Sequence, residues 1–248
     1  MNETSAFPAE HSPSQAAARS VLIWDFPVRV FHWLLALNFA IAWLTAESEP
    51  WRLVHVIAGY TVAGLVVFRL LWGLVGTRHA RFGNFVRGPR TAFAYLRDSL
   101  RGRHPRHAGH NPAGALAIVA LLALAALTTA TGWAFYNETA GEWLGEVHEF
   151  LANAMLGLVL LHLAAVLVTS VLARDNLVKA MWTGRKQAAE RKDGIARPWR
   201  GIGVVMLVAV LGFWWFQWTD AGNTVGVPSV SRPAGERHHH DDDGRRRH

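Results

Sequence analysis

The 248-residue sequence contains no cysteine. That excludes disulfides, cysteine-held iron–sulfur clusters and thioether-attached haem. It has no glycine-rich loop after a strand pattern and no H-E-x-x-H, so nucleotide phosphate binding and zincin-type hydrolysis lack their usual carriers. Charged residues make up only 17% of the chain. Acids are nearly absent from the apolar stretches, Glu149 lying at the end of one of them. Residues 1–20 are polar and lack a basic stretch followed by an apolar one, so no cleaved signal peptide is expected. No internal repeat is visible.

What is abundant is apolar sequence, at 51% of residues, and tryptophan, with twelve. The apolar residues fall in five blocks, at about 31–46, 54–75, 113–135, 145–172 and 201–218. Each is close to the length that crosses a roughly 30 Å hydrocarbon layer. Helix is the structure that satisfies the backbone there. The fourth block is long, which allows tilt. The expected fold class is an all-α membrane protein: a four-helix transmembrane bundle plus a fifth, C-terminal transmembrane helix. The expected organisation is a polar N-terminus (1–21), the four-helix domain (22–185), a basic linker (186–200), the fifth helix (201–218) and a tail (219–248).

Basic residues set the expected orientation. The segment 76–112 carries eight Arg (78, 81, 87, 90, 97, 101, 103, 106) against one acid, Asp98, and 173–200 carries eight Lys or Arg. Residues 47–53 have Glu47, Glu49 and Arg52, and 136–147 have three Glu and no Lys or Arg. The positive-inside rule places the two basic segments, and the N-terminus, in the cytoplasm and the C-terminus in the periplasm. Trp33, Trp43, Trp51, Trp72, Trp133, Trp143 and Trp218 lie near span ends, as interfacial belts require. The net charge of +7 is mostly this topology signal. Anionic membrane lipid explains the basic loops better than nucleic acid does, so no nucleic-acid partner is expected. The tail, with its His238–Asp243 run, reads as a solvated segment that could also bind a divalent metal weakly.

Histidine carries the chemistry. His148 and His162 are fourteen residues apart in one apolar block. In a helix that is roughly 21 Å of rise and a return to nearly the same face. His32 and His55 each lie near the end of another block. With alternating spans, His32 and His162 share the inner depth, and His55 and His148 the outer. A single buried His is more often a hydrogen-bonded helix contact, but four at matching depths suit two axial pairs, each holding one haem b. Two imidazoles saturate the iron, which favours electron transfer over substrate activation at the metal. Proton relay or metal transport would call for acidic partners within the spans, and these are nearly absent.

Other candidates are less specific. Arg69, fourteen residues after His55, would reach the inner depth, either to pair with a haem propionate or to snorkel to the interface. Arg29, near His32, is a second propionate candidate and also a topology charge. Gly59 and Gly64, and Gly157 midway between the two histidines of the fourth block, would admit a flat macrocycle or close helix packing. A quinone site is expected near the basic inner face. His110 is one candidate for it, although a loop or helix-cap role is the favoured reading of that residue.

Several segments carry a family resemblance. They are Trp24-Asp25-Phe26-Pro27-Val28-Arg29-Val30-Phe31-His32-Trp33, His55-Val56-Ile57-Ala58-Gly59-Tyr60, Arg69, Trp72-Gly73, Arg81-Phe82 with Phe85, His110-Asn111-Pro112-Ala113-Gly114-Ala115, and Thr131-Gly132. Over about residues 22–185 the chain resembles the bacterial cytochrome b561 / nickel-hydrogenase b-type cytochrome family. The resemblance implies a diheme membrane cytochrome b whose ligands come from helices one, two and four, matching His32, His55, His148 and His162. It implies electron transfer between the quinone pool and a periplasmic redox partner: a c-type cytochrome, a hydrogenase or a dehydrogenase subunit. It also leaves a self-contained oxidoreductase, of the superoxide:quinone or ferric-reductase type. The fifth span and the tail extend beyond the four-helix core, as in some hydrogenase-linked members.

Overall fold

The computed structural model describes residues 19–86, 88–101, 112–172, 175–188 and 194–225. Among the described residues, five helices are long and apolar enough to cross a membrane: α1 (Phe26–Thr45), α2 (Arg52–Val75), α5 (Pro112–Tyr136), α6 (Trp143–Leu172) and α8 (Arg200–Val225). Three short helices, α3 (Phe82–Phe85), α4 (Pro89–Leu100) and α7 (Leu177–Thr183), and two strands, β1 (Arg19–Leu22) and β2 (Arg185–Ala188), join them. The all-α membrane class and all five spans are as expected. The paired strands and the short helices were not. His110 and the His/Asp/Arg tail lie outside the described residues.

Local chemistry sets the helix ends. Asp25 caps α1, its Oδ1 accepting from the Val28 amide at 2.8 Å, and Pro27 occupies the first turn, where a missing N–H costs nothing. Asn176 caps α7 in the same way, accepting from the Lys179 amide. Gly184 ends α7 at φ 79°, a left-handed conformation that suits glycine, and a Cβ there would lie 2.7 Å from the Trp24 carbonyl oxygen. The Gly184 carbonyl accepts from the amides of Ile23 and Trp24, continuing the antiparallel β1–β2 pair into the start of α1. α6, at 30 residues, is about 45 Å long, more than a bilayer core needs.

All the short elements gather at one end of the bundle. β1 leads into α1, while α3 and α4 follow α2, and α7 and β2 follow α6. Among the described residues, the opposite end has only the turn at Ser48–Trp51 and the short link after Tyr136. This asymmetry matches the distribution of basic residues.

A core of Phe31, Val62, Leu65, Val66, Leu122, Ala125, Met155 and Met206 runs through α1, α2, α5, α6 and α8. α1 packs along α2, and α5 along α6. α8 lies mainly on α1, and α2 meets α5. Among the described residues, α6 makes no extensive backbone contact with α1 or α2. The three helices that carry the four histidines therefore include one that stands off from the other two.

Candidate haem-binding site

Two of the histidines meet directly, and the other two are electrostatic neighbours. The rings of His55 and His148 face each other with centroids 6.2 Å apart and planes at 81°. His162 is an electrostatic neighbour of His32 at the other end of the bundle. All four rings are half-buried.

The His55 and His148 rings are oriented by backbone. Nδ1 of His55 lies 2.8 Å from the Ala42 carbonyl oxygen of α1, and Nδ1 of His148 lies 2.9 Å from the Thr128 carbonyl oxygen of α5. A carbonyl can only accept, so each Nδ1 carries the proton and donates it. Each Nε2 is then the unprotonated nitrogen, the form a metal requires. Both carbonyls lie four or fewer residues from a threonine or the helix end (Thr45, Thr128), but neither anchor is readable from sequence, because each depends on which helix packs alongside. Gly132 is a second feature the sequence concealed. It sits one turn beyond Thr128, and a Cβ on it would lie 2.8 Å from His148 Cε1, so glycine is what leaves room for the ring. Its place in the Thr131-Gly132 motif was the one available signal.

His32 differs. Its Nδ1 is buried without a hydrogen-bond partner, and the ring meets that of Trp33 edge-on at 5.2 Å. Leaving such a nitrogen unpaired is costly unless a ligand or metal takes it up.

The room between these residues suits a flat group. A Cβ built on Gly59, one turn beyond His55, meets nothing within 4 Å, and neither does one on Gly157. Each of these two glycines thus leaves open space beside its own helix. Axial imidazoles on one metal, with bonds of about 2.0–2.1 Å and ring centres roughly 1.1 Å behind each nitrogen, have centroids about 6.3 Å apart. The 6.2 Å of His55 and His148 fits that arrangement. Among the described residues no group of three or more His, Cys, Asp or Glu side chains is placed to hold a metal ion.

Gly64 faces elsewhere, into a cleft between α2 and α8. Arg69 is buried, at 3% exposure. Its Nη1 donates to the Ala80 carbonyl at 3.0 Å and its guanidinium covers the Phe82 ring at 4.7 Å, with Asp25 as its electrostatic neighbour. Arg29 donates from Nη2 to the Trp182 carbonyl and lies 5.6 Å from the Phe26 ring, while its Nε is buried without a partner.

Comparison with known proteins places the chain in a family. Residues 23–184 match the family model described as prokaryotic cytochrome b561. The chain is 24% identical over 240 residues to a probable Ni/Fe-hydrogenase B-type cytochrome subunit of Rhizobium leguminosarum bv. viciae, covering 78% of this chain and 99% of that protein. It is 26% identical over 220 residues to a subunit of the same description from Rhodobacter capsulatus, covering 67% and 81%. With a probable Ni/Fe-hydrogenase 1 B-type cytochrome subunit of Escherichia coli K12 it shares 26% identity over 143 residues, 47% of this chain and 60% of that one. No solved structure matches it. The match spans α1 to α7 and includes all four histidines, and so the chain belongs to the prokaryotic cytochrome b561 family, as a multi-pass inner-membrane cytochrome b with an electron-transfer role.

Proposed function

We propose that the chain binds two haems b, one between His55 and His148 and one between His32 and His162, and serves as the membrane electron-transfer subunit of a respiratory complex. The observation that carries this reading is the His55–His148 pair, with rings 6.2 Å apart and both Nδ1 atoms committed to carbonyls. Haem b held there supplies reversible one-electron chemistry with no open coordination position.

The chain's own residues do the rest. The Ala42 and Thr128 carbonyls fix the tautomer and orientation of the two rings. Gly59 and Gly157 leave clearance on the helix faces, and Gly132 leaves it behind His148. The apolar faces of α1, α2 and α6 exclude water from the space between the pairs. Arg69 and Arg29 supply positive charge at the His32/His162 end, where propionates need partners.

The basic end, with α3, α4, α7 and the strand pair, faces the cytoplasm in this reading. The His55/His148 end faces the periplasm, where a hydrogenase-type redox protein docks, as the names of the relatives suggest. The quinone pool is the partner within the membrane.

The test is pyridine-haem quantification and reduced-minus-oxidised spectroscopy on the purified protein, with low-temperature EPR of the oxidised form. Two haems per chain are expected. Because the His55 and His148 rings stand at 81° to one another, a haem held by both would be expected to give a strongly anisotropic low-spin signal. Protein purified from haem-replete membranes with one haem or none would overturn the assignment.

A further inference from the structure

A cleft of about 750 Å³ runs between α2 and α8, on the side of α2 away from His55. Gly64 is nine residues from His55, half a turn round the helix, and a Cβ on it would meet nothing within 4 Å. The walls are apolar, with Phe68 toward the basic end and Phe213 on α8. Toward the His55/His148 end the lining turns polar, with Tyr60 and Gln217. Neither side chain makes a hydrogen bond among the described residues. The two helices are tied at this level, where Trp214 Nε1 donates to Thr61 Oγ1 at 2.9 Å.

We propose that this cleft binds a long-tailed quinone or quinol, its ring between Tyr60 and Gln217 and its isoprenoid tail along Gly64 and Phe68. This rests on the reading of the chain as a quinone-linked cytochrome b and gives that reading a place. Charge selects the occupant. No charged side chain lines the cleft, so a phospholipid phosphate would find no cation there. Arg52, at the start of α2, is paired with Glu49. A neutral ring with two oxygens suits one phenol and one amide, because Tyr60 can donate to one oxygen and Gln217 to the other. The volume is in the range of small-molecule sites. Position serves the function as well. Tyr60 is five residues beyond His55, about 7.5 Å along the axis, so a ring beside it is separated from the His55/His148 pair by roughly one helix width, about 10–12 Å. The site differs from the one expected near the basic loops and His110. It also gives α8 a role: α8 lies outside the matched residues 23–184 yet forms one wall.

The experiment uses the full-length haem-loaded protein in phosphatidylglycerol nanodiscs. An azido-decylubiquinone is photolysed and its adducts mapped by mass spectrometry, with decylubiquinone as competitor. Adducts should fall on 52–75 and 200–225 and be removed by decylubiquinone but not by added phosphatidylglycerol. Gly64→Phe should fill the cleft and abolish the adducts with haem content and spectrum retained. Tyr60→Phe and Gln217→Leu, which disturb packing less, should each weaken decylubiquinone binding about two- to tenfold, as loss of one hydrogen bond does. Adducts confined to the basic loops, or competed equally by phosphatidylglycerol, would overturn the site while leaving the electron-transfer reading intact. Unchanged affinity in both polar variants would overturn it too. A parent protein without haem would overturn the underlying reading itself.

Discussion

Gly132 of α5 lies so close to His148 of α6 that a Cβ on it would stand 2.8 Å from the imidazole Cε1 and 2.9 Å from Nδ1. The same ring is held from that helix by the Thr128 carbonyl at 2.9 Å. One helix thus supplies both the anchor and the clearance for the His148 ring, the ligand proposed on its neighbour. Gly132→Val should therefore act like loss of the ligand. A β-branched side chain cannot share that space, the ring must rotate, and its Nδ1 bond to Thr128 breaks. Haem content should fall from about two per chain toward one. Full content with an unchanged spectrum would show that the ring tolerates displacement and that the contact is incidental.

Direct removal of the ligands separates the two pairs. His148→Ala should cost the haem shared with His55, and His162→Ala the haem shared with His32, each variant keeping about one. Redox titration would show a different component missing from each. Two haems and two unaltered potentials in both variants would sink the pairing.

Asp25 ties the first two spans together. It is 1% exposed, caps α1 through Val28, and accepts from Trp72 Nε1 at 3.1 Å and Thr77 Oγ1 at 2.6 Å. It thereby fixes the start of the helix that carries His32. Asp25→Ala removes the cap, worth about 0.5–2 kcal/mol. It also strands two donors, at about 1–3 kcal/mol each where they stay buried. Asp25→Asn keeps a capping oxygen, since Asn caps as well as Asp, but turns an amide toward a donor. The detergent-solubilised variants should unfold in the order Ala first, then Asn, then parent, with a gap of about 3 kcal/mol or more between Ala and parent. Following haem absorbance during denaturation measures this. Equal midpoints would mean that the carboxylate carries none of the tie.

The spans, and the nearness of His55 to His148, could be read from sequence because each depends on one helix at a time: rise, turn angle and direction of crossing. What was hidden depends on neighbours. β1 and β2 pair Arg19 with Ala188 and Leu22 with Arg185, across the whole four-helix domain, and neither strand shows an alternating pattern. The anchors of His55 and His148 are backbone carbonyls, which every residue has, so no side chain announces them. Arg69 shows the same limit. Its face and depth could be counted from His55, but its partners, the Ala80 carbonyl and the Phe82 ring, lie on the turn before α3 and on α3 itself, whose path only the fold fixes. Gly64 was counted with Gly59 as a residue making room, yet the two open onto different spaces, because nine residues reverse a helix face and four nearly restore it.

Orientation can be tested without purification. The two Arg/Lys-rich segments predict that a reporter active only in the periplasm works when fused after Asn223 and fails when fused near Arg103. The reverse pattern would invert the membrane map. The histidine pairs would stand, since they depend on relative depth alone.

Arg69 offers the sharpest electrostatic test. Its burial rules out a side chain reaching into solvent, and its charge sits at the His32/His162 end with Asp25 as a neighbour. Arg69→Met removes one positive charge near the haem held there. The ferric state carries the extra positive charge, so losing a nearby cation stabilises it and the midpoint potential should fall. A unit charge about 8 Å away at an effective dielectric near 20 is worth roughly 2 kcal/mol. Asp25 already cancels part of that field, and headgroups and salt screen more. With tenfold in a one-electron equilibrium corresponding to about 59 mV, the expected fall is some tens of millivolts in one haem only. Both haems should be retained, because the iron ligands are untouched. A redox titration of the purified variant resolves the two components. If neither moves, Arg69 serves as the lock between α2 and the Ala80 turn, and the propionates of that haem draw their charge from Arg29 or from elsewhere on the basic face.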